Sequence, residues 1–120
     1  MKKKIFINTY SDRRGDLSFV QNSKKFKFSR LYYIHNIKKK TIRGKHYHKN
    51  NRQFIICISG QIKLRIVNVK NNKESTLILN DPKVGTFIEN YEWHTIGCDR
   101  NSIILVLAEK LFSKKDYFTI

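Results

Sequence analysis

The 120-residue chain has the size of a single domain, and its 40% hydrophobic content excludes an intrinsically disordered protein. Its formal net charge of +16, from 25 Lys and Arg against 9 Asp and Glu, predicts a surface that attracts polyanions without selecting among them. The longest apolar run, residues 102–108, is far shorter than the roughly 20 residues of a membrane-spanning helix, and the run at residues 5–7 is too short for a signal peptide.

Apolar and polar residues alternate with a period of two along much of the chain, which predicts short strands. Residues 61–69 show this best, because the apolar residues from Ile62 to Ile66 alternate with Lys63 and Arg65. The predicted strands, in chain order, are residues 30–37, 41–48, 53–59, 61–69, 76–79, 85–89, 92–98 and 102–110. Residues 111–118 fit either a helical turn or an extended arm. Many short strands joined by tight turns predict one all-β barrel domain, residues 1–120.

Two cysteines, Cys57 and Cys98, lie in or beside apolar runs, which predicts buried thiols. Two buried thiols and the absence of a recognisable signal peptide are typical of a reducing compartment. We therefore expect a cytoplasmic protein with no membrane segment.

The chemistry is suggested by the segment RGKHYHK, residues 43–49. On a strand, His46 and His48 would share one face about 7 Å apart, and Tyr47 would face the other way. Three interpretations are open at this point. The pair can be ordinary strand histidines, ligands of a divalent metal, or an acid and a base in catalysis, because imidazole suits both chemical roles.

The spacing around this pair resembles the first motif of the cupin superfamily. His48 is followed after four residues by Gln53, and Gly60 follows after six more. A second cupin motif is suggested by the stretch from Gly85 to His94. Metal-binding cupins have Glu where this chain has Gln53, and a neutral amide attracts a divalent cation less than a carboxylate does. Metal binding is therefore the weaker interpretation, and the histidines are expected to transfer protons.

A longer series of segments resembles the nucleotide-sugar 3,4-ketoisomerases, which are cupins. The segments are, in order, DRRGDL (12–17), SRLYYIHN (29–36), RGKHYHK (43–49), QFIICISG (53–60), YEWH (91–94) and ILVLAEKLFSKKDYF (104–118). Two departures are present. Tyr47 stands where the family usually has Ala, and the usual proline before the Trp-His pair is missing.

The resemblance implies a cupin-type β-barrel (jelly roll) and an activity. The family converts a dTDP-linked 4-keto-6-deoxyhexose, such as dTDP-4-keto-6-deoxyglucose, to its 3-keto isomer without a metal or other cofactor. That step leads to the 3-amino sugars of bacterial surface polysaccharides. By resemblance, His46 and His48 carry the proton transfers, and the protein is a homodimer that exchanges N-terminal strands.

The resemblance also suggests residues that contact the substrate. Arg43, Tyr32 and Gln53 are candidate donors to the enediolate or the sugar hydroxyls, and His94 of the second motif is a further candidate. Arg14 and Arg30 are candidates for the pyrophosphate, although both can equally be solvated surface residues.

Three rival functions remain open. A nucleotide-sugar 3,5-epimerase also removes a proton beside a keto group, but it usually pairs a histidine with a carboxylate, and the segment around His46 and His48 has no acidic residue. A β-barrel that binds nucleic acid would fit the net charge but leaves RGKHYHK and YEWH unexplained. A metal-dependent cupin oxygenase is disfavoured by Gln53. The sequence leaves open the gluco or galacto configuration of the product and which histidine is the base.

Overall fold

The computed structural model describes residues 2–119, so Met1 and Ile120, the two ends of the predicted domain, lie outside the described residues. Within this range the chain forms short strands and a single 3-10 turn at Lys114–Asp116. The strands are β1 (Ile5–Phe6), β2 (Asn8–Asp12), β3 (Gly15–Phe19), β4 (Arg30–Ile34), β5 (Thr41–His46), β6 (Gln53–Ser59), β7 (Ile62–Asn68), β8 (Glu74–Leu79), β9 (Val84–Ile88), β10 (Glu92–Cys98) and β11 (Ile103–Ala108).

The strands form two larger antiparallel sheets and a separate hairpin. One sheet has the order β1-β9-β6-β11-β4, the other has the order β5-β10-β7-β8, and β2 pairs with β3. Buried aliphatic side chains from both larger sheets form the main core cluster. The predicted all-β architecture is therefore confirmed.

The burial of each strand explains the pattern of its sequence. In β7, Ile62, Leu64 and Ile66 are buried while Lys63 and Arg65 are exposed, as the alternation predicted. The first five residues of β6 are buried without alternation, because a second apolar cluster around Phe26 covers the outer face of this strand. A strand that is covered on both faces has a continuous apolar sequence.

The hairpin of β2 and β3 was not predicted. Asn8 to Asp12 pair with Gly15 to Phe19, and the side chains of Tyr10 and Leu17 are 72% and 60% exposed. Because neither face of this hairpin is buried in its own chain, its sequence lacks the alternation that marked the other strands. The hairpin presents an apolar surface that the rest of the chain does not cover.

The segment after β11 combines both predicted alternatives. It contains the 3-10 turn and then an extended residue, Phe118, which forms an antiparallel bridge with Tyr47.

None of the helical residues in the described range belongs to a segment that is long and apolar enough to cross a membrane. Cys57 and Cys98 are buried and free, and burial raises the pKa of the Cys57 thiol to about 11.

Two strand glycines differ in the space around them, which gives a matched test of the packing. A Cβ at Gly85 would lie 2.5 Å from the Phe54 ring and 2.8 Å from the Ile55 carbonyl oxygen, whereas a Cβ at Gly97 would meet nothing closer than 3.5 Å. We expect Gly85→Ala to lower the free energy of unfolding by about 1–3 kcal/mol, the usual effect of overpacking. Gly97→Ala should change it by less than about 0.5 kcal/mol. Urea unfolding of both variants checks this, and equal stabilities would contradict it.

Candidate functional site

Three histidines meet where β5 and β10 pair. His46 is opposite His94 in the register of the two strands, and their ring centroids are 4.9 Å apart. His48 follows the end of β5, and its ring centroid is 5.0 Å from that of His46. The structure therefore brings together the two predicted catalytic histidines and adds His94.

A β-bulge in β5 sets this geometry. The register jumps from His46 to Gly44, which leaves Lys45 as the extra residue of the bulge, and both Gly44 and Lys45 have positive φ angles. A Cβ on Gly44 would lie 2.8 Å from the backbone oxygen of His94, so the close pairing requires glycine here. The strand predicted for residues 41–48 therefore stops at His46. Bulges of this kind change the direction of side chains beside functional sites.

A cavity of about 800 Å³ opens beside the histidines. Its lining consists of Arg30, Tyr32, Tyr33, Ile34, Ile42, Arg43, Gly44, Lys45, His46, His94, Ile96, Tyr117 and Thr119. Three of these side chains are cationic and, among the described residues, none of the lining groups is acidic. A second cavity of about 380 Å³ has none of the predicted site residues in its lining and contains an ion pair between Lys2 and Glu92. The larger cavity is therefore the candidate active site.

His48 is only 4% exposed and is held on both sides of its ring. Its Nδ1 lies 2.7 Å from the backbone oxygen of Asp116, which can only accept, so Nδ1 carries the proton and donates it. On the other side, Nε2 lies 3.5 Å from the amide nitrogen of Gln53, and the Tyr32 hydroxyl lies 3.5 Å from the amide oxygen of Gln53. These contacts all fit one tautomer of His48, with the lone pair on Nε2.

Burial sets the protonation of the other two histidines. His94 is 2% exposed and its Nδ1 donates to the backbone oxygen of Glu92 at 3.1 Å. Burial lowers the pKa of His94 to about 4, the hydrogen bond to Glu92 opposes this shift, and the charge of Lys2 adds to it. Burial also lowers the pKa of His46. Both rings are therefore neutral at pH 7, as a general base must be.

Tyr32, one of the tyrosines that line the cavity, stays protonated at neutral pH. Burial raises the pKa of Tyr32 to about 12, so its hydroxyl can donate a hydrogen bond to a developing negative charge. The guanidinium of Arg30 lies 4.5 Å from the centre of the Tyr32 ring and 5.3 Å from that of Phe112, which holds this cation at the cavity by cation–π contacts. Arg43 lines the same cavity with an exposed side chain.

Arg14 lies away from this cavity. It is at the turn between β2 and β3, 86% exposed at its side chain, and forms an ion pair with Asp12 at 2.7 Å. It does not line the cavity of its own chain. Of the predicted site residues, Arg14 is therefore the one that the structure separates from the histidines.

Sequence reasoning missed two residues on the C-terminal segment. The ring centroid of Tyr117 lies 4.6 Å from that of His46 and 4.8 Å from that of His48. The carboxylate of Asp116 lies 3.3 Å from Nδ1 of His48. The only available signal was the family-like stretch KKDYF (114–118), which gave no role to either residue. The acidic partner that the RGKHYHK segment lacks thus comes from residue 116, so the missing carboxylate no longer argues against an epimerase.

No group of three or more His, Cys, Asp or Glu side chains is arranged to hold a metal ion within residues 2–119.

Comparisons with known proteins show the family to which this chain belongs. The family described as "FdtA: WxcM-like, C-terminal" matches residues 2–119. The TDP-4-oxo-6-deoxy-alpha-D-glucose-3,4-oxoisomerase of Aneurinibacillus thermoaerophilus is 30% identical over 118 residues, which cover 96% of this chain and 84% of that protein.

Solved structures give the same result. A mutant of the 3,4-ketoisomerase QdtA from Thermoanaerobacterium thermosaccharolyticum, in complex with TDP-4-keto-6-deoxyglucose, is similar with a TM-score of 0.89 and 29% identity. The match covers 99% of this chain and 87% of that one. A dTDP-4-dehydrorhamnose 3,5-epimerase from Bacillus anthracis has a TM-score of 0.85 over 99% of this chain and 78% of its own, but at 18% identity it shows the fold alone. The predicted cupin-type barrel is confirmed.

The buried His94 should make stability depend on pH. The unfolded chain takes up a proton at His94 near the ordinary histidine pKa of 6.5, and the folded chain only near 4, so acidification favours unfolding in this interval. The free energy of unfolding is highest above the ordinary histidine pKa, where His94 is neutral in both states. It should fall by about 2 kcal/mol between pH 7.5 and pH 5 because of His94. Urea unfolding at the two pH values should show a smaller loss for His94→Gln than for the wild type. His35→Gln, at an exposed histidine, is the control, and equal losses in all three proteins would contradict the expectation.

Proposed function

We propose, because the chain belongs to the FdtA family (WxcM-like, C-terminal), that it converts dTDP-4-keto-6-deoxyglucose to a dTDP-3-keto-6-deoxyhexose for deoxyamino-sugar biosynthesis. Its relatives are 3,4-ketoisomerases, so the chain is an isomerase and the family resemblance found in the sequence is confirmed. The observation that carries the proposal is the pair of neighbouring histidines, of which His46 lines a cationic cavity and His48 is buried directly behind it.

The reaction moves a carbonyl by one carbon and needs no external oxidant. A base removes the proton from C3, and the electrons of that C–H bond form the C3–C4 double bond of an enediolate. The negative charge then lies on the oxygen at C4. An acid protonates C4, the hydroxyl at C3 loses its proton and becomes the carbonyl, and the oxygen at C4 becomes a hydroxyl. One proton leaves C3 and one is added at C4, while the hydroxyl proton lost at the C3 oxygen is matched by the one gained at the C4 oxygen. The step therefore balances.

His46 and His48 are the proton-transfer groups in this proposal. His46 lines the cavity, and burial keeps it neutral at pH 7 and therefore able to act as a base. His48 is held in a single tautomer whose lone pair, on Nε2, faces the amide nitrogen of Gln53 at 3.5 Å. Tyr32 and Arg43 line the same cavity and supply donors for the enediolate, while Gln53 acts by holding His48 and Tyr32.

The nucleotide part of the substrate is anionic, and the cavity provides for it. Arg30, Arg43 and Lys45 are its three cationic lining residues. A guanidinium matches the two oxygens of a phosphate group, so we assign Arg30, which the Tyr32 ring orients, to the pyrophosphate. His94 contributes a neutral ring to the wall of the cavity.

Proton NMR in deuterated water tests this function directly. Without added metal, the wild-type protein should convert dTDP-4-keto-6-deoxyglucose to a 3-keto product that carries deuterium at C4. His46→Asn and His48→Asn should each lower kcat by about 10²- to 10⁴-fold, the usual contribution of general acid–base catalysis. The variant that lacks the base should also lose exchange at C3, whereas the variant that lacks the acid should retain it.

His35→Asn is the matched control, because His35 is exposed and does not line the cavity. Exchange at C3 and C5 with the carbonyl still at C4 would instead identify a 3,5-epimerase. No exchange at all would refute both activities.

We also propose that the protein works as a homodimer in the cytoplasm. The hairpin of β2 and β3 exposes Tyr10 and Leu17, and β4 is an open sheet edge whose Leu31 and Tyr33 are 53% and 59% exposed. The unpaired backbone groups of such an edge can form hydrogen bonds with a further strand. In a homodimer, the hairpin of each chain would pair with β4 of the other chain, which covers both surfaces. The two free buried cysteines support a reducing location.

This dimer would give Arg14 a role. The residues of β4 from Arg30 to Ile34 include four that line the cavity, so a hairpin added along β4 carries its turn near that cavity. Arg14 of the partner subunit would then reach the pyrophosphate bound in this cavity. The Arg14 of the same chain does not line it.

Mixed dimers test that arrangement. The Arg14→Ala and His46→Asn variants should each form homodimers of about twice 14.3 kDa. Each homodimer should be less active than the wild type. Coexpression of the two chains should restore up to about one quarter of wild-type activity, because half of the dimers then contain one intact site out of two. Light scattering gives the mass, and the NMR assay gives the activity. A monomer, or a coexpressed mixture no more active than its components, would refute the arrangement.

A further inference from the structure

The C-terminal segment is fixed against the histidine site by its backbone. The N–H of Tyr47 donates to the Phe118 oxygen at 2.9 Å, and the N–H of Phe118 donates to the Tyr47 oxygen at 3.1 Å. The ammonium of Lys49 lies 4.2 Å from the centre of the Phe118 ring. Asp116 is thus carried to His48 by a defined pairing between residues 47 and 118.

Asp116 presents two oxygens to the same nitrogen of His48. Its backbone oxygen accepts from Nδ1 at 2.7 Å, and its carboxylate oxygen Oδ2 lies 3.3 Å from Nδ1. The other carboxylate oxygen accepts from the backbone N–H of Lys49 at 3.0 Å, which fixes the orientation of the group. The side chains of His48 and Asp116 are 4% and 23% exposed, so water screens the pair only partly.

We propose that Asp116 is a positioning residue that acts through His48, which rests on the proposed ketoisomerase function. Its backbone oxygen holds the proton on Nδ1, so that Nε2 keeps the lone pair with which it exchanges a proton with the substrate. Its carboxylate supplies the negative charge that stabilises the imidazolium when His48 has accepted that proton. In this role Asp116 acts only through its contacts with His48.

The residue on the opposite side of the ring agrees with this role. Gln53 offers an amide N–H toward Nε2 of His48, and its amide oxygen faces the Tyr32 hydroxyl. A glutamate at position 53 would offer only acceptors and would compete with Asp116 for the proton of His48. The neutral amide and the Asp116 carbonyl therefore favour the same tautomer, and the Asp116 carboxylate lies on the Nδ1 side of the ring.

Asp116→Asn removes the charge and keeps the backbone oxygen and an acceptor for the Lys49 N–H. We expect kcat to fall about 10- to 100-fold, a part of the factor that acid–base catalysis contributes, with KM within about twofold of wild type. Asp81→Asn is the matched control, because the Asp81 carboxylate also accepts a backbone N–H, from Lys83 at 2.9 Å, away from the site. It should leave kcat unchanged.

Two further measurements separate this role from a structural one. The ¹⁵N NMR signals of the wild-type His48 ring should show a protonated Nδ1 and an unprotonated Nε2, and the opposite tautomer would overturn the proposal. Asp116→Glu, which keeps a carboxylate, should retain more activity than Asp116→Asn at equal or lower thermal stability. The reverse order, or an unchanged kcat in Asp116→Asn, would also overturn it. An inactive wild-type protein would refute the proposed function and with it this role.

Discussion

The antiparallel pairing of β5 with β10 is the constraint on which the site depends. It places His46 opposite His94, and the bulge at Lys45 ends the regular pairing just before His48. Gly44 permits this because any Cβ would meet the backbone of β10. The residues after β5 then have no partner strand in the sheet and are free to pair with the C-terminal segment. The histidine cluster and its support thus both depend on the bulge at Lys45.

The cavity combines cationic lining residues with two histidines, His46 and His94, that burial keeps neutral. Arginines and a lysine line the cavity, and burial lowers the pKa values of His46 and His94. A neutral imidazole can accept a proton, so the cavity combines cations that suit an anionic ligand with groups that can act as a base. The overall charge of +16 is less informative, because most of it lies outside the cavity.

Local patterns sufficed for the elements that form the core. Residues 53–59 and 92–98 were predicted as strands, and they form β6 and β10 with the predicted first and last residues. The prediction succeeded because the buried positions of these strands carry apolar residues. The hairpin of β2 and β3 was missed, since a surface that its own subunit leaves exposed has no such signal. The spacing of His46 and His48 indicated their common location, but the contact of His48 with Asp116 spans 68 residues. No local period encodes a contact of that separation.

That long separation also makes the stability of the site differ from the stability of the barrel. Phe118 is held at Tyr47 by two backbone hydrogen bonds, whereas His46 and His94 lie on strands that pair along most of their length. A segment held by so few hydrogen bonds opens locally at a lower free energy than core strands do. When residues 116–118 open, the ring of His48 loses its partner at Nδ1 and is free to rotate and to change tautomer, although the barrel remains folded. The proton-transfer site is therefore less stable than the fold that carries it.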